Sequence, residues 1–165
     1  MESNNKTKII AEPGKQELFI IREFDAPREM VFSAFSIEEI LVQWVGPIEM
    51  NIRYETFEPK TGGSYRYLQR LPNGMELGFK GVCHEHTAPE RIIQTFEFEG
   101  LPEKGHVAME TTRFEELPNE RTKVTVQSVF QSVADRDGMV QSGMESGVVV
   151  SHQRLDELIA KKLIK

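Results

Sequence analysis

The chain has 165 residues, 39% hydrophobic and 28% charged, which suits one domain burying roughly 70% of its unfolded surface around one core. Its 20 Lys and Arg against 26 Asp and Glu give a formal net charge of -6, so no overall positive field gathers nucleic acid or anionic lipid. The longest unbroken apolar run, Leu18 to Ile21, falls far short of the ~20 residues a membrane-spanning helix needs, so neither nucleic acid nor a membrane is expected as a partner.

Residues 1–15 are polar, lack the apolar stretch of a secretory signal and end in Glu-Pro-Gly-Lys. They are read as a flexible leader to a single domain over 16–165. Leu18, Phe19, Ile20, Ile21 and Phe24 form a strand, which Asp25-Ala26-Pro27 closes. Asp25 is expected to cap a short helix carrying Val31, Phe32 and Phe35, with Pro27 in its first turn. Ser36 and Glu39 form a capping box for a second short helix with Ile37, Ile40, Leu41 and Trp44, ending at Gly46-Pro47.

From Ile52 to Phe130, short strands alternate with turn residues: Lys60-Thr61-Gly62-Gly63, Pro72-Asn73-Gly74, Ala88-Pro89-Glu90, Gly100-Leu101-Pro102 and Pro118-Asn119-Glu120. Period-2 alternation is clearest along Ile92, Gln94, Phe96, Phe98 and along Val124, Val126, Ser128, Phe130. Ser132 with Asp135 opens one long amphipathic helix through Val140, Met144, Val148, Ser151, Leu155, Leu158 and Ile159, with Lys161, Lys162 and Lys165 favouring its C-terminal dipole. Strand, two short helices, six strands and a long helix predict an α+β fold, a strongly curved antiparallel sheet wrapped around the C-terminal helix. Such a fold leaves a concave side that large side chains or a ligand must fill.

The stretches Arg22-Glu23-Phe24-Asp25-Ala26-Pro27-Arg28-Glu29-Met30-Val31-Phe32, Gln43-Trp44-Val45-Gly46-Pro47 and Glu58-Pro59-Lys60-Thr61-Gly62-Gly63-Ser64-Tyr65 carry a resemblance to a known superfamily. Gly81-Val82, Pro89-Glu90-Arg91-Ile92, Gly143-Met144 with Gly147, and Arg154-Leu155-Asp156-Glu157-Leu158 extend it. In this order and spacing, from about Glu17 to Leu163, the chain resembles the START-like (SRPBCC, Bet v-like) helix-grip proteins. More narrowly, it resembles the relatives of the C-terminal domain of the activator of heat-shock protein 90 ATPase. The resemblance implies a sheet of seven strands gripping the last helix, with an elongated cavity between them. Val45 stands where the family usually has a second tryptophan, Val148 where an aromatic commonly follows the glycine, and Glu58, Lys60 and Thr61 where it usually has Asp, Arg and Pro.

The candidate cavity is bounded by Trp44, Tyr65, Tyr67, Phe96, Phe98, Phe114, Phe130, Met139, Gly143, Met144, Gly147 and Val148, with Gln94, Thr112, Ser128 and Glu110 as its polar points. A buried polar side chain costs several kcal/mol unless partnered, so these polar groups either bond one another and water or orient a ligand. Tyr65 and Tyr67 either supply hydroxyls to the cavity or fill the core. Gly138, Gly143 and Gly147 each cost a helix interior about 1 kcal/mol, offset either by close packing on the sheet or by room for a ligand. His84 and His86 share one face of a strand, which is the start of a metal site or a pair of ordinary histidines. Cys83, the single cysteine, cannot form an intrachain disulfide; it reads as a small buried hydrophobe and points to a reducing, cytoplasmic setting.

No CxxC, HExxH, GxGxxG or GKS/T motif is present, so neither a metal nor a cofactor is expected. The leading expectation is a binding protein holding a small hydrophobic molecule between sheet and C-terminal helix, without catalysis. Two alternatives stand beside it. One is a stress-response interaction module acting on a heat-shock chaperone ATPase, as the family resemblance implies. The other is a small cyclase or dehydratase by analogy of fold, with Glu110 as the one carboxylate placed on an inward face.

Overall fold

The computed structural model describes residues 5–46, 51–162 and 164. In chain order these form β1 (Lys8–Ile10), β2 (Glu17–Phe24), α1 (Arg28–Ser36), α2 (Glu38–Trp44), β3 (Asn51–Phe57), β4 (Ser64–Arg70), β5 (Glu76–Thr87), β6 (Arg91–Phe98), β7 (Val107–Leu117), β8 (Arg121–Val129), α3 (Val133–Gln141) and α4 (Met144–Ala160). The strands make one curved antiparallel sheet in the order β1-β2-β8-β7-β6-β5-β4-β3, the helix-grip arrangement. The period-2 pattern is the cause. Phe24, Val124, Phe114 and Ile92 all turn to the concave face, where they meet Val31, Phe32, Leu41, Trp44 and Leu155 from the helices. Burying a large apolar side chain of this kind contributes about 1.5–3 kcal/mol, so this cluster fixes the grip of α4 at its C-terminal half.

Four sequence expectations need correction. The leader expected to be flexible over 1–15 contains β1, whose Lys8, Ile9 and Ile10 pair with Ile21, Ile20 and Phe19 of β2, so the sheet has eight strands and not seven. Asp25 does not cap α1: its carboxylate accepts from Arg121 Nε at 2.9 Å and Asn5 Nδ2 at 3.2 Å, and Pro27 stands at the N-cap with no side-chain cap. Ser36 and Glu39 form no capping box, because the Ser36 hydroxyl donates back to the Phe32 carbonyl at 2.8 Å and Ile37 stands between the two helices.

The single long C-terminal helix is two. α3 stops at Ser142, whose hydroxyl donates to the Met139 carbonyl at 2.6 Å, and Gly143 turns the chain with φ 84 before α4 begins. That left-handed φ suits a glycine and strains any residue with a Cβ. Ser132 caps α3 as expected, accepting from the Asp135 N–H at 3.0 Å. Pro47 and Lys165 lie outside the described residues.

Candidate functional site

Strand register assembles a polar row across the middle of the concave face. Leu18 of β2 pairs with Ser128 of β8, Ser128 with Glu110 of β7, Glu110 with Gln94 of β6, and Gln94 with Cys83 of β5. Ser128 Oγ donates to Glu110 Oε2 at 3.4 Å, and the Gln94 side chain hydrogen-bonds the same carboxyl from the other strand. Burial pushes the Glu110 carboxyl above its ordinary value, and the two hydrogen bonds only partly offset that shift. Burial likewise raises the Cys83 thiol, which donates to the Glu85 carbonyl.

The row lies between separate apolar clusters. Along β7, Ala108 belongs to a cluster with Leu18 and Phe130, backed by Met139 and Met144, while Phe114 belongs to the cluster around Phe24 and Leu155. Glu110 and Thr112 fall between them. The same division runs along β8, from Phe130 through Ser128 to Val124. On α4 it runs from Met144 past Gly147 and Val148 to Leu155. Gln94, Glu110, Thr112, Met144, Gly147 and Val148 keep partial exposure.

A third cluster, Ile52, Tyr65 and Tyr67 with Tyr54, Phe79 and Phe96, forms the adjoining wall. Its rings stack across neighbouring strands, Tyr67 on Phe79 at 5.1 Å and Phe79 on Phe96 at 5.5 Å. Burial raises the Tyr65 and Tyr67 hydroxyls, and the Glu110 charge adds to both shifts, which puts the wall within electrostatic reach of the row.

Not every candidate residue joins this region. Trp44 is buried with the α1 side chains and donates from Nε1 to the Ala34 carbonyl at 2.9 Å, and Phe114 packs edge-on against Phe32 and Phe35. Both serve the packed core. Tyr65 reaches over Gly81 to donate to the Thr95 carbonyl at 2.6 Å, so its hydroxyl is already used. Phe98 stacks on Phe79 at the far end of the wall.

A Cβ built at Gly138, Gly143 or Gly147 meets nothing within 4 Å, which removes close packing as the reason for these glycines. Two depressions, of about 160 Å³ beside Thr7, Arg22 and Gln153 and about 470 Å³ around Arg66 and Glu99, contain none of the candidate residues. Glu58 accepts from the Ser64 N–H and hydroxyl, and Thr61 Oγ1 accepts from the His86 N–H, so these departures from the family pattern serve the bend before β4.

Sequence reading missed several residues. Phe79 was one, although it shares the inward parity of β5 with Cys83, which is buried as expected, a signal visible in the alternation Leu77, Phe79, Gly81, Cys83. His84 and His86 do not share a face. A bulge between Cys83 and Glu85 leaves His84 exposed and turns His86 inward, edge-on to Phe32 at 5.1 Å. Among the described residues, no group of three or more His, Cys, Asp or Glu side chains is arranged to hold a metal ion.

The buried Arg22–Asp156 ion pair, which joins β2 to α4, was also missed. So was the Thr7 hydroxyl bonded to His152 Nδ1 at 2.7 Å. Both span more than a hundred residues and leave no local pattern.

Comparison with known proteins supports the same architecture. A crystal structure of a Rhodobacter sphaeroides protein superposes with a TM-score of 0.84 at 22% identity, covering 94% of this chain and 99% of that one. A solution structure of an Arthrobacter aurescens protein gives 0.83 at 25% identity, covering 93% and 91%. The AHSA1 protein from Silicibacter pomeroyi gives 0.73 at 17% identity, covering 88% and 99%. No curated protein matches. Among the described residues no helix is long and apolar enough to cross a membrane. The profile described as "Activator of Hsp90 ATPase homolog 1-like protein" matches residues 25–160, and the chain belongs to that family.

Proposed function

We propose that the protein holds a small hydrophobic molecule between the concave face of the sheet and α4, with Glu110, Gln94 and Ser128 as its polar contacts. The observation that carries this reading is the polar row itself, with Gln94 and Glu110 partly accessible, lying between two apolar clusters, together with the open space at the Cβ of Gly147 on α4. Phe96, Tyr67, Phe130, Met139, Met144 and Val148 supply the apolar boundary. The test is calorimetry with 1-naphthylmethanol. Binding with a negative ΔCp, lost in Gly147→Phe while circular dichroism is unchanged, is the expected result. Failure of the wild-type protein to bind this alcohol at millimolar concentration overturns the reading.

A second reading follows from family membership, that the chain binds a heat-shock chaperone ATPase. It is favoured by a row on the convex face where Met109 and Val82 stand 47% and 45% exposed, with Val129 and Thr95 between or beside them in register. Calorimetric titration of the host's chaperone, in parallel with Met109→Glu, separates the two; no heat at tens of micromolar removes the chaperone.

A further inference from the structure

We infer that the ligand of the Glu110 row is a lipophilic amine, bound as its ammonium ion with the Glu110 carboxylate as counter-charge. This deepens the binding reading above and rests on it. Burial works against a charge on Glu110, while Ser128 and Gln94, approaching from the strands on either side, hydrogen-bond the carboxyl and favour its ionised form. A carboxylate so held still needs a positive charge in a low-dielectric interior.

Among the described residues, no hydrogen bond or ion pair joins a cation to the Glu110 carboxyl, and burial works against a charge on the inward His86. Arg22 is committed to Asp156 and the Glu23 carbonyl. Arg136 is committed to Asp137 and the Glu17 carbonyl, and Arg154 to the Gly46 and Gln43 carbonyls. His152 is bonded to Thr7 and held neutral by burial. The missing charge is therefore assigned to the ligand. Aromatic rings are compatible with an ammonium ion and its apolar body, and Tyr67, Phe79 and Phe96 stand in the adjoining wall. A ligand carboxylate placed here would instead face Glu110 with like charge and no cation to receive it.

Three probes of one shape decide the matter in calorimetry at neutral pH: 1-naphthylmethylamine as cation, 1-naphthylmethanol as neutral molecule and 1-naphthoate as anion. The amine is expected to bind about tenfold tighter than the alcohol, the anion least, since a desolvated charge pair or cation–aromatic contact is worth a factor of this order. Glu110→Gln is expected to abolish the roughly tenfold preference for the amine over the alcohol. If the wild-type protein binds alcohol and amine equally, or prefers the anion, the amine assignment is overturned and the hydrophobic site survives. The same holds if Glu110→Gln keeps the preference for amine. If no probe binds, both fall. Should Glu110→Gln not fold, the wild-type ranking of the three probes decides alone.

Discussion

Two inward titratable side chains make opposite demands on the fold. Burial raises Glu110, so the folded state holds that proton more tightly than the unfolded chain does. Its contribution to stability is fully present below the unfolded carboxyl value of about 4.3 and is lost as pH rises through the folded value. Glu110→Gln, which keeps the shape and drops the charge, is therefore expected to raise the urea midpoint at neutral pH, with the gain closing toward about pH 4. A variant less stable than wild type at neutral pH would mean that the protein itself already compensates the carboxylate. His152 runs the other way. Burial first, then the nearby Arg22, depresses its imidazole from 6.5 to about 3. The stability it lends is present above the unfolded value and is lost as pH falls from there toward the folded one, at up to about 1.4 kcal/mol per pH unit. His152→Gln should flatten the fall in stability between about pH 6 and pH 4 by close to one proton; an unchanged slope would show that His152 is not the titrating group. A carboxyl kept in the interior at a cost to stability at neutral pH is what a binding role for Glu110 requires.

Elements differ in how much their ends depend on distant partners. Gly143 and Gly147 look alike in the sequence but do different work. Gly143 turns the chain between α3 and α4 with φ 84, so Gly143→Ala is expected to cost about 1 kcal/mol; Gly147, inside α4 with open space at its Cβ, should gain about 0.5–1 kcal/mol as Ala. Thermal melts of the two variants should shift in opposite directions, and a loss in Gly147→Ala would restore close packing as its role. Between β7 and β8, Asn119 and Glu120 hold φ 66 and 55; asparagine tolerates this region and glutamate does not, so Glu120→Gly should stabilise the hairpin by a few tenths of a kcal/mol to about 1. The strands and turns were legible because alternation and turn chemistry are local signals. Caps are less so: Asp25 resembles a helix cap in the sequence because its competing partner, Arg121, lies 96 residues away, and Ser36 does so although its own helix offers a carbonyl four residues back. His86 was misplaced by one bulge, since an extra residue inverts parity from that point on.

At the scale of the whole molecule, the inward direction of Gln94, Glu110 and Ser128 was legible from parity alone, but their meeting in one row was not, because register is set by pairing across the sheet. β1 was illegible for a related reason: a strand of three residues has too little alternation to announce itself, and its stability comes from its neighbours. Those neighbours tie it closely. β1 covers the free edge of β2, the Thr7 hydroxyl holds His152 of α4, and Asn5 joins Arg121 and Asp25, so one short segment links the sheet edge, the last helix and the start of α1. Removing residues 1–11 would uncover the β2 backbone and leave His152 without its hydroxyl partner. With net hydrogen-bond contributions near 0.5–1.5 kcal/mol each, the truncated chain should lose about 2–4 kcal/mol in urea unfolding. The β2 edge, carrying Phe19 and Ile21 on its outer face, should then pair with another copy, seen as concentration-dependent dimer in sedimentation. A truncated protein that stays monomeric and unfolds at the wild-type midpoint would return residues 5–11 to the flexible leader the sequence suggested.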